Sequence, residues 1–165
     1  RGQKAASGFI SNYNFKSKLI YKPLFGSQGD NIRLIERPSD LEKLENQTNI
    51  YYFQEYLDNS PNYDYRVLVI NNNDNIKYFY MTRYGETFIN NFSKGAKCIK
   101  EQLNEDVIEL AIRSSRLLNI DFCGVDIIEY KRQFYVIEVN SIPAWKGLQK
   151  VESANISDYI TSLFA

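Results

Sequence analysis

Two β-prone stretches separated by a short polar link constrain the fold of this chain most. Residues 123–130 read C-G-V-D-I-I-E-Y, residues 134–140 read F-Y-V-I-E-V-N, and K-R-Q lies between them. Apolar, β-branched and aromatic residues favour strands, and two such runs joined by a few polar residues are typical of a β-hairpin. We therefore predict an antiparallel hairpin with a three-residue loop at 131–133, in which Tyr130 pairs with Phe134.

Three polar side chains interrupt these otherwise apolar strands. In the predicted register Asp126 lies opposite Glu138, and Asn140 lies on the same face because it is two residues further on. Two carboxylates facing each other repel, and a cation between them would relieve the repulsion. Two carboxylates and an amide oxygen are hard ligands that suit Mg²⁺ or Mn²⁺, and Mg²⁺ commonly also binds substrate phosphate. The alternative is a solvated face with ordinary surface carboxylates.

The rest of the sequence mixes strands and helices without a regular strand–helix rhythm. Further β-prone stretches occupy residues 18–22, 32–36, 51–57, 64–71 and 76–84. We expect the last three to be successive strands of one antiparallel sheet. Helices are expected at 39–46, opened by an S-x-x-E capping box at Ser39, at 104–118, capped by Asn104, and at 157–164. The predicted fold class is α+β with mainly antiparallel sheets, and the chain length predicts one compact unit.

The composition excludes several classes of function. Twenty basic and twenty acidic residues give no net charge, so neither nucleic acid nor an anionic membrane is an expected partner. The chain has no histidine, and its cysteines, Cys98 and Cys123, lie apart, which removes Cys/His zinc sites and His-dependent triads. Because there is no signal-like segment and no long apolar run, a reduced, cytoplasmic setting is expected. The first residue, Arg1, is not Met, which indicates a fragment.

A glycine-rich turn follows the first predicted strand. Lys22 closes that strand, and Gly26 and Gly29 then flank Ser27 and Gln28. Glycines let backbone N–H groups approach an anion closely, and a lysine can reach phosphate as a point charge. The lysine precedes the glycines, so this is not a Walker A loop. The alternative is a plain hairpin turn beside an exposed lysine.

Three further segments allow both a functional and a structural interpretation. Residues 53–57 (F-Q-E-Y-L) are either an ordinary strand or a strand edge whose backbone hydrogen-bonds an adenine. Asp64 and Arg66 share one face of the next strand, where they either pair with each other or contact a ribose and a phosphate. Residues 90–95 (N-N-F-S-K-G) are polar and carry a glycine, and most such segments are plain loops.

The order of these segments resembles one known family. From about Lys18 onwards the chain is similar to the RimK-type glutamate ligases of the ATP-grasp superfamily in the succession K-P-L-F-G-S-Q-G, F-Q-E-Y-L, D-Y-R-V-L-V-I, F-I-N-N-F-S-K-G-A, G-V-D-I-I and V-I-E-V-N-S-I-P. The resemblance implies an ATP-grasp fold with ATP between two α+β lobes. These are a small nucleotide-binding lobe at 18–57 and a larger metal-binding lobe at 58–165, without the leading N-terminal domain of full-length relatives.

The resemblance also implies a role for each matching residue. The implied contacts with ATP are Lys22 on phosphate, the flap Gly26, Ser27, Gln28 and Gly29 over the phosphates, Glu55, Tyr56 and Leu57 at the adenine edge, and Asp64 near the ribose. Arg66 is implied on the γ-phosphate or acyl phosphate, and Asn91 and Lys94 beside the substrate. Asp126, Glu138 and Asn140 are implied as ligands of Mg²⁺ or Mn²⁺.

The implied reaction is ATP-dependent ligation of a carboxylate to an amine. Transfer of the γ-phosphoryl group activates the carboxylate, and the amine then displaces phosphate to give an amide. The implied partners are ATP, an amino acid such as glutamate, and a carboxylate acceptor that is a small molecule or a peptide. A homo-oligomer is compatible with the sequence.

Departures from the family pattern support an alternative, a domain that keeps the fold and binds ATP without catalysis. Ile89 stands where relatives often carry an arginine, and Asn31 replaces the third glycine of the flap.

After the metal motif, I-P-A-W-K-G replaces the S-P-G of the ribosomal-protein-modifying ligases and looks closer to the ligases of pterin cofactors.

Overall fold

The computed structural model describes residues 8, 12–13, 17–25, 29–44, 50–72 and 75–164. The chain forms two compact units, Arg1–Leu57 and Asp58–Ala165. The chain length alone predicted one unit, whereas each of these units has a hydrophobic core of its own. The predicted α+β class with antiparallel sheets is confirmed, because every strand pair in the described residues is antiparallel.

The first unit contains a three-stranded sheet in the order β2-β1-β3. Its strands are β1 (Leu19–Lys22), β2 (Arg33–Ile35) and β3 (Tyr52–Glu55), and a 3-10 helix spans Pro38–Lys43. The core beneath them consists of Leu19, Tyr21, Ile35, Leu41 and Leu44. The predicted β1–β2 hairpin is confirmed, and β3 lies at one edge of the described sheet.

The prediction for β3 was wrong in its partner. We expected residues 51–57 to extend the sheet of the two following strands, but β3 pairs with β1, with Phe53 opposite Tyr21. Tyr21 also packs against Tyr51 and Phe53, each with ring centroids 5.9 Å apart. Aromatic burial against β1 therefore decides the pairing, and the periodicity of a single strand carries no information about it.

The start of the first helix also differs from the prediction. Arg37 is the N-cap, and Asp40, not Ser39 or Glu42, caps the helix. Asp40 Oδ2 accepts from the backbone N–H groups of Glu36 and Arg37, at 3.1 and 3.2 Å. These hydrogen bonds hold the pKa of Asp40 below its usual range. The helix ends at Lys43, because Leu44 has an extended backbone, and the predicted helical residues 45 and 46 lie outside the described part.

The second unit is built on a five-stranded sheet in the order β6-β5-β4-β7-β8. The strands are β4 (Tyr63–Asn72), β5 (Asn75–Tyr84), β6 (Lys97–Ile99), β7 (Phe122–Tyr130) and β8 (Gln133–Asn140). The helices are α1 (Glu105–Leu118), α2 (Lys146–Gln149) and α3 (Ile156–Thr161), with 3-10 turns at Phe92–Lys94 and Ser162–Phe164. Neither β6 nor α2 was predicted, because both are short.

The two faces of this sheet have different neighbours. Val67 and Val69 of β4 face α1, where Val107 and Ala111 pack against them. The alternate residues of β4 point to the other face, where Leu68 joins a second core with residues of α2 and α3. Asp64 and Arg66 share that second face, so β4 carries charge at its beginning and apolar residues further along.

The hairpin of β7 and β8 confirms the predicted pairing of Asp126 with Glu138, but for a different reason. The loop has two residues, Lys131 and Arg132, both with positive φ (51° and 62°), so Tyr130 pairs with Gln133 and not with Phe134. This one-residue difference is cancelled by an irregularity in the ladder between Asp126 and Ile127, where β8 carries an extra residue.

The long helix agrees with its prediction. The Asn104 side chain accepts from the backbone N–H of Asp106 at 2.9 Å, and Glu105 and Asp106 occupy the first turn. Asn119 ends the helix with a φ of 53°, a left-handed conformation that asparagine tolerates better than most residues. No helix in the described part of the chain is long and apolar enough to span a membrane.

Candidate active site

Four charged side chains form a buried network on the sheet face opposite α1. Arg83 donates through Nε and Nη2 to Asp64 Oδ1 and Oδ2, at 2.6 and 2.8 Å. Its Nη2 atom also lies 3.0 Å from Asp126 Oδ2. Arg66 donates through Nε to Asp126 Oδ1 and through Nη2 to Asp126 Oδ2, the latter at 2.6 Å. The network thus runs Asp64–Arg83–Asp126–Arg66 and carries no net charge.

The two carboxylates of this network have different electrostatic environments. Burial raises the pKa of Asp64 to about 6, against the opposing effect of Arg83. Burial also opposes ionisation of Asp126, but Arg83 and Arg66 together outweigh it and hold the pKa of Asp126 below its usual range. Arg83 loses solvation as well, yet Asp126 and Asp64 raise its pKa, so it stays charged. Asp126 is therefore firmly ionised, and Asp64 is the carboxyl that a proton reaches first.

Strand register brings these residues together. Asp64 lies opposite Arg83 in the β4–β5 ladder, and Arg66 lies opposite Asp126 in the β4–β7 ladder. The hydrogen bonds therefore run between strands, and the Asp64–Arg66 pair that the structural interpretation expected is not formed. Directly opposed residues have Cβ atoms about 5 Å apart, which is closer than residues two apart on one strand.

A glycine beside the Arg66 side chain leaves room for Pro143. A Cβ atom added at Gly124 would lie 2.8 Å from Pro143 Cβ and 3.4 Å from Arg66 Cδ. The first distance is below any real contact of this kind. Gly124 lies two residues before Asp126, on the same face of β7. The glycine that starts the G-V-D motif therefore gives Pro143 space beside the charge network.

The predicted metal ligands lie beside this network. Glu138 pairs with Asp126 and Asn140 pairs with Gly124, so the three oxygen-bearing side chains share one face. Glu138 is exposed, whereas Asp126 is 2% exposed. Within the described residues no three Cys, Asp or Glu side chains are grouped to hold a metal, so the amide of Asn140 is needed to complete the set.

The donor set fits a hard divalent cation. Two carboxylates and an amide oxygen are suitable ligands for Mg²⁺. Among the described residues Asp126 Oδ1 accepts from Arg66 Nε alone, which leaves it a lone pair for a metal. A metal ion was predicted because the carboxylates of Asp126 and Glu138 would repel each other. In the structure two cationic side chains, Arg66 and Arg83, already neutralise charge at Asp126. The metal-binding role of these residues therefore stays a prediction.

The predicted substrate residues lie on the segment between β5 and β6. The backbone carbonyl of Asn91 accepts from the N–H groups of Lys94 and Ala96, at 2.9 and 3.4 Å, and so shapes the turn. Gly95 closes it with a φ of 90°, which favours glycine. The Lys94 side chain is exposed, and Asn91 is half-buried. Their roles beside a substrate remain predictions.

The predicted ATP contacts of the first unit fall on β1, on β3 and on the turn before β2. Lys22 ends β1 and is half-buried, and Glu55 ends the edge strand β3. The Tyr56 N–H donates to the Lys18 carbonyl at 2.8 Å, so it is already engaged, and the chain leaves the sheet at Leu57. These placements leave the predicted adenine edge untested.

The flap prediction is described only in part. Gly26, Ser27 and Gln28 lie outside the described residues, whereas Gly29 adopts a φ of 78° and Asn31 a φ of 60°. Asparagine is one of the few non-glycine residues that take up this conformation readily. Replacement of the third glycine by Asn31 is therefore compatible with the turn.

Two residues of the site were not recognised from the sequence. They are Arg83, which belongs to the charge network, and Gly124, which leaves space beside it. Arg83 was not predicted as a site residue, yet it holds both Asp64 and Asp126. The signal was present in the β4–β5 hairpin, since a register that pairs Asn72 with Asn75 also pairs Asp64 with Arg83. Gly124 gave no signal beyond its place in the motif.

A separate groove of about 650 Å³ lies between the beginning of α1 and the tip of the β7–β8 hairpin. Asp106, Glu109 and Arg113 of α1 line one side, and Arg132 and Gln133 of the hairpin line the other. None of the predicted site residues lines it.

The fold is that of ATP-grasp ligases. Over 99% of its length the chain superposes on 51% of the ATP-grasp ligase PsnB, solved with a phosphomimetic variant of its minimal precursor, Mg and ADP, with a TM-score of 0.65 at 20% identity. The predicted ATP-grasp fold is thus confirmed.

Sequence comparison identifies the family. The RimK-like ATP-grasp domain matches residues 1–163, and the chain belongs to this family, as predicted. It is 30% identical over 148 residues to the tetrahydromethanopterin:alpha-L-glutamate ligase of Methanocaldococcus jannaschii, covering 84% of this chain and 50% of that protein. It is 32% identical over 155 residues to a probable alpha-L-glutamate ligase of Haemophilus influenzae, covering 89% and 52%. The chain therefore spans about half the length of these curated relatives.

Proposed function

We propose that this chain is the ATP- and metal-binding part of an ATP-dependent carboxylate–amine ligase. The proposed reaction forms an amide through an acyl phosphate, with glutamate or a similar amino acid as the amine. The acceptor is a carboxylate on a small molecule or a peptide. The names of the relatives support the amine, since two of them are alpha-L-glutamate ligases.

One observation carries the proposal. In a chain of the RimK-like family, Asp126, Glu138 and Asn140 share one face of the β7–β8 hairpin, next to the guanidinium group of Arg66. Hard oxygen donors beside a fork of N–H donors are what a metal-bound polyphosphate requires. A solved ATP-grasp ligase that contains Mg and ADP supports Mg²⁺ and ATP as the molecules proposed to bind here.

Positioning and charge neutralisation would do most of the work. Bound Mg²⁺ would neutralise phosphate oxygens and favour phosphoryl transfer. Asp126, Glu138 and Asn140 would hold it, and Arg66 would offer two parallel N–H donors to the transferred phosphoryl group or the acyl phosphate. Lys94 and Asn91 would orient the carboxylate and the amine. No protein nucleophile is required, in agreement with a chain that has no histidine.

The first unit would bind the nucleotide. We assign Lys22 and the flap Gly26 to Gly29 to the phosphates, and Glu55, Tyr56 and Leu57 to the adenine. For Asp64 the observed bonds to Arg83 support a positioning role in place of the ribose contact implied by resemblance.

The two cysteines are unbridged, which fits a reducing compartment such as the cytoplasm.

The test separates binding from catalysis. Mg²⁺-dependent ATP binding is measured by thermal shift on this chain, and ADP and phosphate release is measured on the full-length protein with panels of amino acids and acceptor carboxylates. We expect saturable binding and phosphate release that needs both substrates. Glu138→Gln should weaken Mg²⁺-dependent binding at least about tenfold, whereas Glu109→Gln, on the exposed side of α1, should leave it unchanged.

Two outcomes would contradict the proposal in different ways. Saturable ATP binding by this chain, without acceptor-dependent phosphate release by the full-length protein from any pair of substrates, would favour the non-catalytic alternative. Absence of Mg²⁺-dependent ATP binding would reject the nucleotide site itself.

A further inference from the structure

The two arginines that contact Asp126 are fixed to different degrees. Arg83 has a side chain that is 3% exposed, and it also makes two hydrogen bonds to Asp64. Arg66 has a side chain that is 11% exposed, and in the described structure its side-chain hydrogen bonds go to Asp126. Arg83 would leave a second buried carboxylate unpaired if it moved, whereas Arg66 would not. Arg66 is therefore the more mobile of the two by its contacts.

The two oxygens of Asp126 also differ. Oδ2 accepts from Arg66 Nη2 at 2.6 Å and lies 3.0 Å from Arg83 Nη2, so it is shared by both arginines. In the part of the chain that the structure describes, Oδ1 accepts from Arg66 Nε alone. Loss of the Arg66 contacts would therefore free Oδ1 completely, while Oδ2 would keep its contact with Arg83. The carboxylate would stay anchored and its second oxygen would become available.

Arg66 and a cation bound by Glu138 would compete for this oxygen, and they would approach Asp126 from opposite sides of β7. Arg66 lies opposite Asp126 on β4, and Glu138 lies opposite Asp126 on β8. A cation held by Glu138 and Asp126 would sit beside the Arg66 guanidinium, and the two positive charges would repel each other at short range.

We propose that Arg66 is an exchangeable counter-ion of Asp126. It occupies Asp126 until a divalent cation binds with Glu138 and then releases the carboxylate, whereas Arg83 stays in place. The released guanidinium is a planar fork that matches phosphate oxygens, so it becomes available for phosphate only once the cation is bound. This proposal rests on the proposed function, and it makes metal binding and the delivery of Arg66 to phosphate one coupled event.

The direct test follows the two guanidinium groups by NMR. In the ¹⁵N-labelled chain the Nε–H signals of Arg66 and Arg83 are assigned with Arg66→Lys and Arg83→Lys, and the unsubstituted chain is titrated with Mg²⁺, with and without a non-hydrolysable ATP analogue. With Mg²⁺ alone we expect the Arg66 signal to shift and its hydrogen-exchange protection to fall at least about tenfold, because its hydrogen bonds to Asp126 break. With the ATP analogue present the signal should also shift, and hydrogen bonds to phosphate should restore part of the protection. The Arg83 signal should keep its position and protection. Glu138→Gln should abolish the change at Arg66.

A second measurement uses cation affinity alone. Binding of Mn²⁺ is followed by electron paramagnetic resonance in Arg66→Gln and in Arg113→Gln, which removes the same charge from an exposed position on α1. If Arg66 competes with the cation, Arg66→Gln should bind Mn²⁺ at least about fivefold more tightly than Arg113→Gln. Equal or weaker binding in Arg66→Gln would overturn the exchange.

The outcomes distinguish this proposal from the proposed function. If Mg²⁺ binds and Glu138→Gln prevents it, but the Arg66 Nε–H signal keeps its shift and protection, the exchange is wrong and the metal site stands. If neither Mg²⁺ nor Mn²⁺ binds with or without nucleotide, the metal site of the proposed function fails, and the exchange fails with it.

Discussion

Replacing Arg83 with methionine would test whether it is the shared counter-ion of two buried carboxylates. Arg83→Met removes both donors to Asp64, at 2.6 and 2.8 Å, and leaves Asp126 with Arg66. Removing one partner of a buried ion pair costs about 3–5 kcal/mol when the remaining group stays charged. Asp64 can avoid part of that cost by taking up a proton, so the cost should depend on pH.

The sign follows from the pKa of Asp64. With Arg83 present this pKa is raised to about 6, so the Asp64 contribution to stability is complete below the unfolded value and is lost as the pH rises through about 6. Without Arg83 the native pKa rises further, and the loss continues at about 1.4 kcal/mol per pH unit above 6. The destabilisation by Arg83→Met should therefore be up to about 2.3 kcal/mol larger at pH 8 than at pH 6, because Asp64 of the unsubstituted chain is still half protonated at pH 6.

Urea unfolding between pH 6 and pH 8 measures this difference. Arg113→Met serves as the matched control, because it removes an exposed arginine from α1 and should show no such trend. Adding Asp64→Asn to Arg83→Met removes the titrating group and should flatten the pH dependence. A cost of Arg83→Met that is the same at pH 6 and pH 8 would refute the assignment of Arg83 as the counter-ion of Asp64.

Three further predictions concern packing, capping and tyrosine ionisation. Gly124→Ala should cost about 1–3 kcal/mol in urea unfolding because its Cβ meets Pro143, whereas Gly147→Ala, which meets only side-chain atoms at 3.3 Å or more, should cost less. Asn104→Ala should cost about 1 kcal/mol by loss of the α1 cap; no change would contradict that cap. Burial raises the pKa of Tyr63, so its contribution is lost above about pH 10, and Tyr63→Phe should reduce the stability lost between pH 9 and 11, measured by urea unfolding.

Elements whose partners lie nearby in the sequence could be predicted. The pattern of apolar residues and the Asn104 cap located α1, and alternation located both strands of the β4–β5 hairpin. The pairing of β3 could not be predicted in this way, because it depends on the packing of Tyr21 against Phe53 from a distant part of the chain. Alternation defines which face of a strand is apolar, and it is silent about the neighbouring strand.

The candidate site was predictable in part for a similar reason. Asp126 and Glu138 could be paired because one short hairpin joins them, although the three-residue loop and the regular ladder assumed for it were both wrong. Arg83 escaped notice as a partner of Asp126 because β4 lies between their strands. A buried charge network spanning three strands requires the β4–β5 and β4–β7 registers together, and neither was assigned from the sequence.

The irregularity in the β7–β8 ladder separates the tip of that hairpin from its functional end. Ile137 is the extra residue, and it lies between the tip pair of Tyr130 with Gln133 and the pair of Asp126 with Glu138. A change at the tip can be absorbed at this point before it reaches Glu138. The two-residue turn is therefore a suitable attachment point for a fluorescent reporter or an inserted peptide, so that the protein can be labelled a few residues from its proposed metal ligands without displacing them.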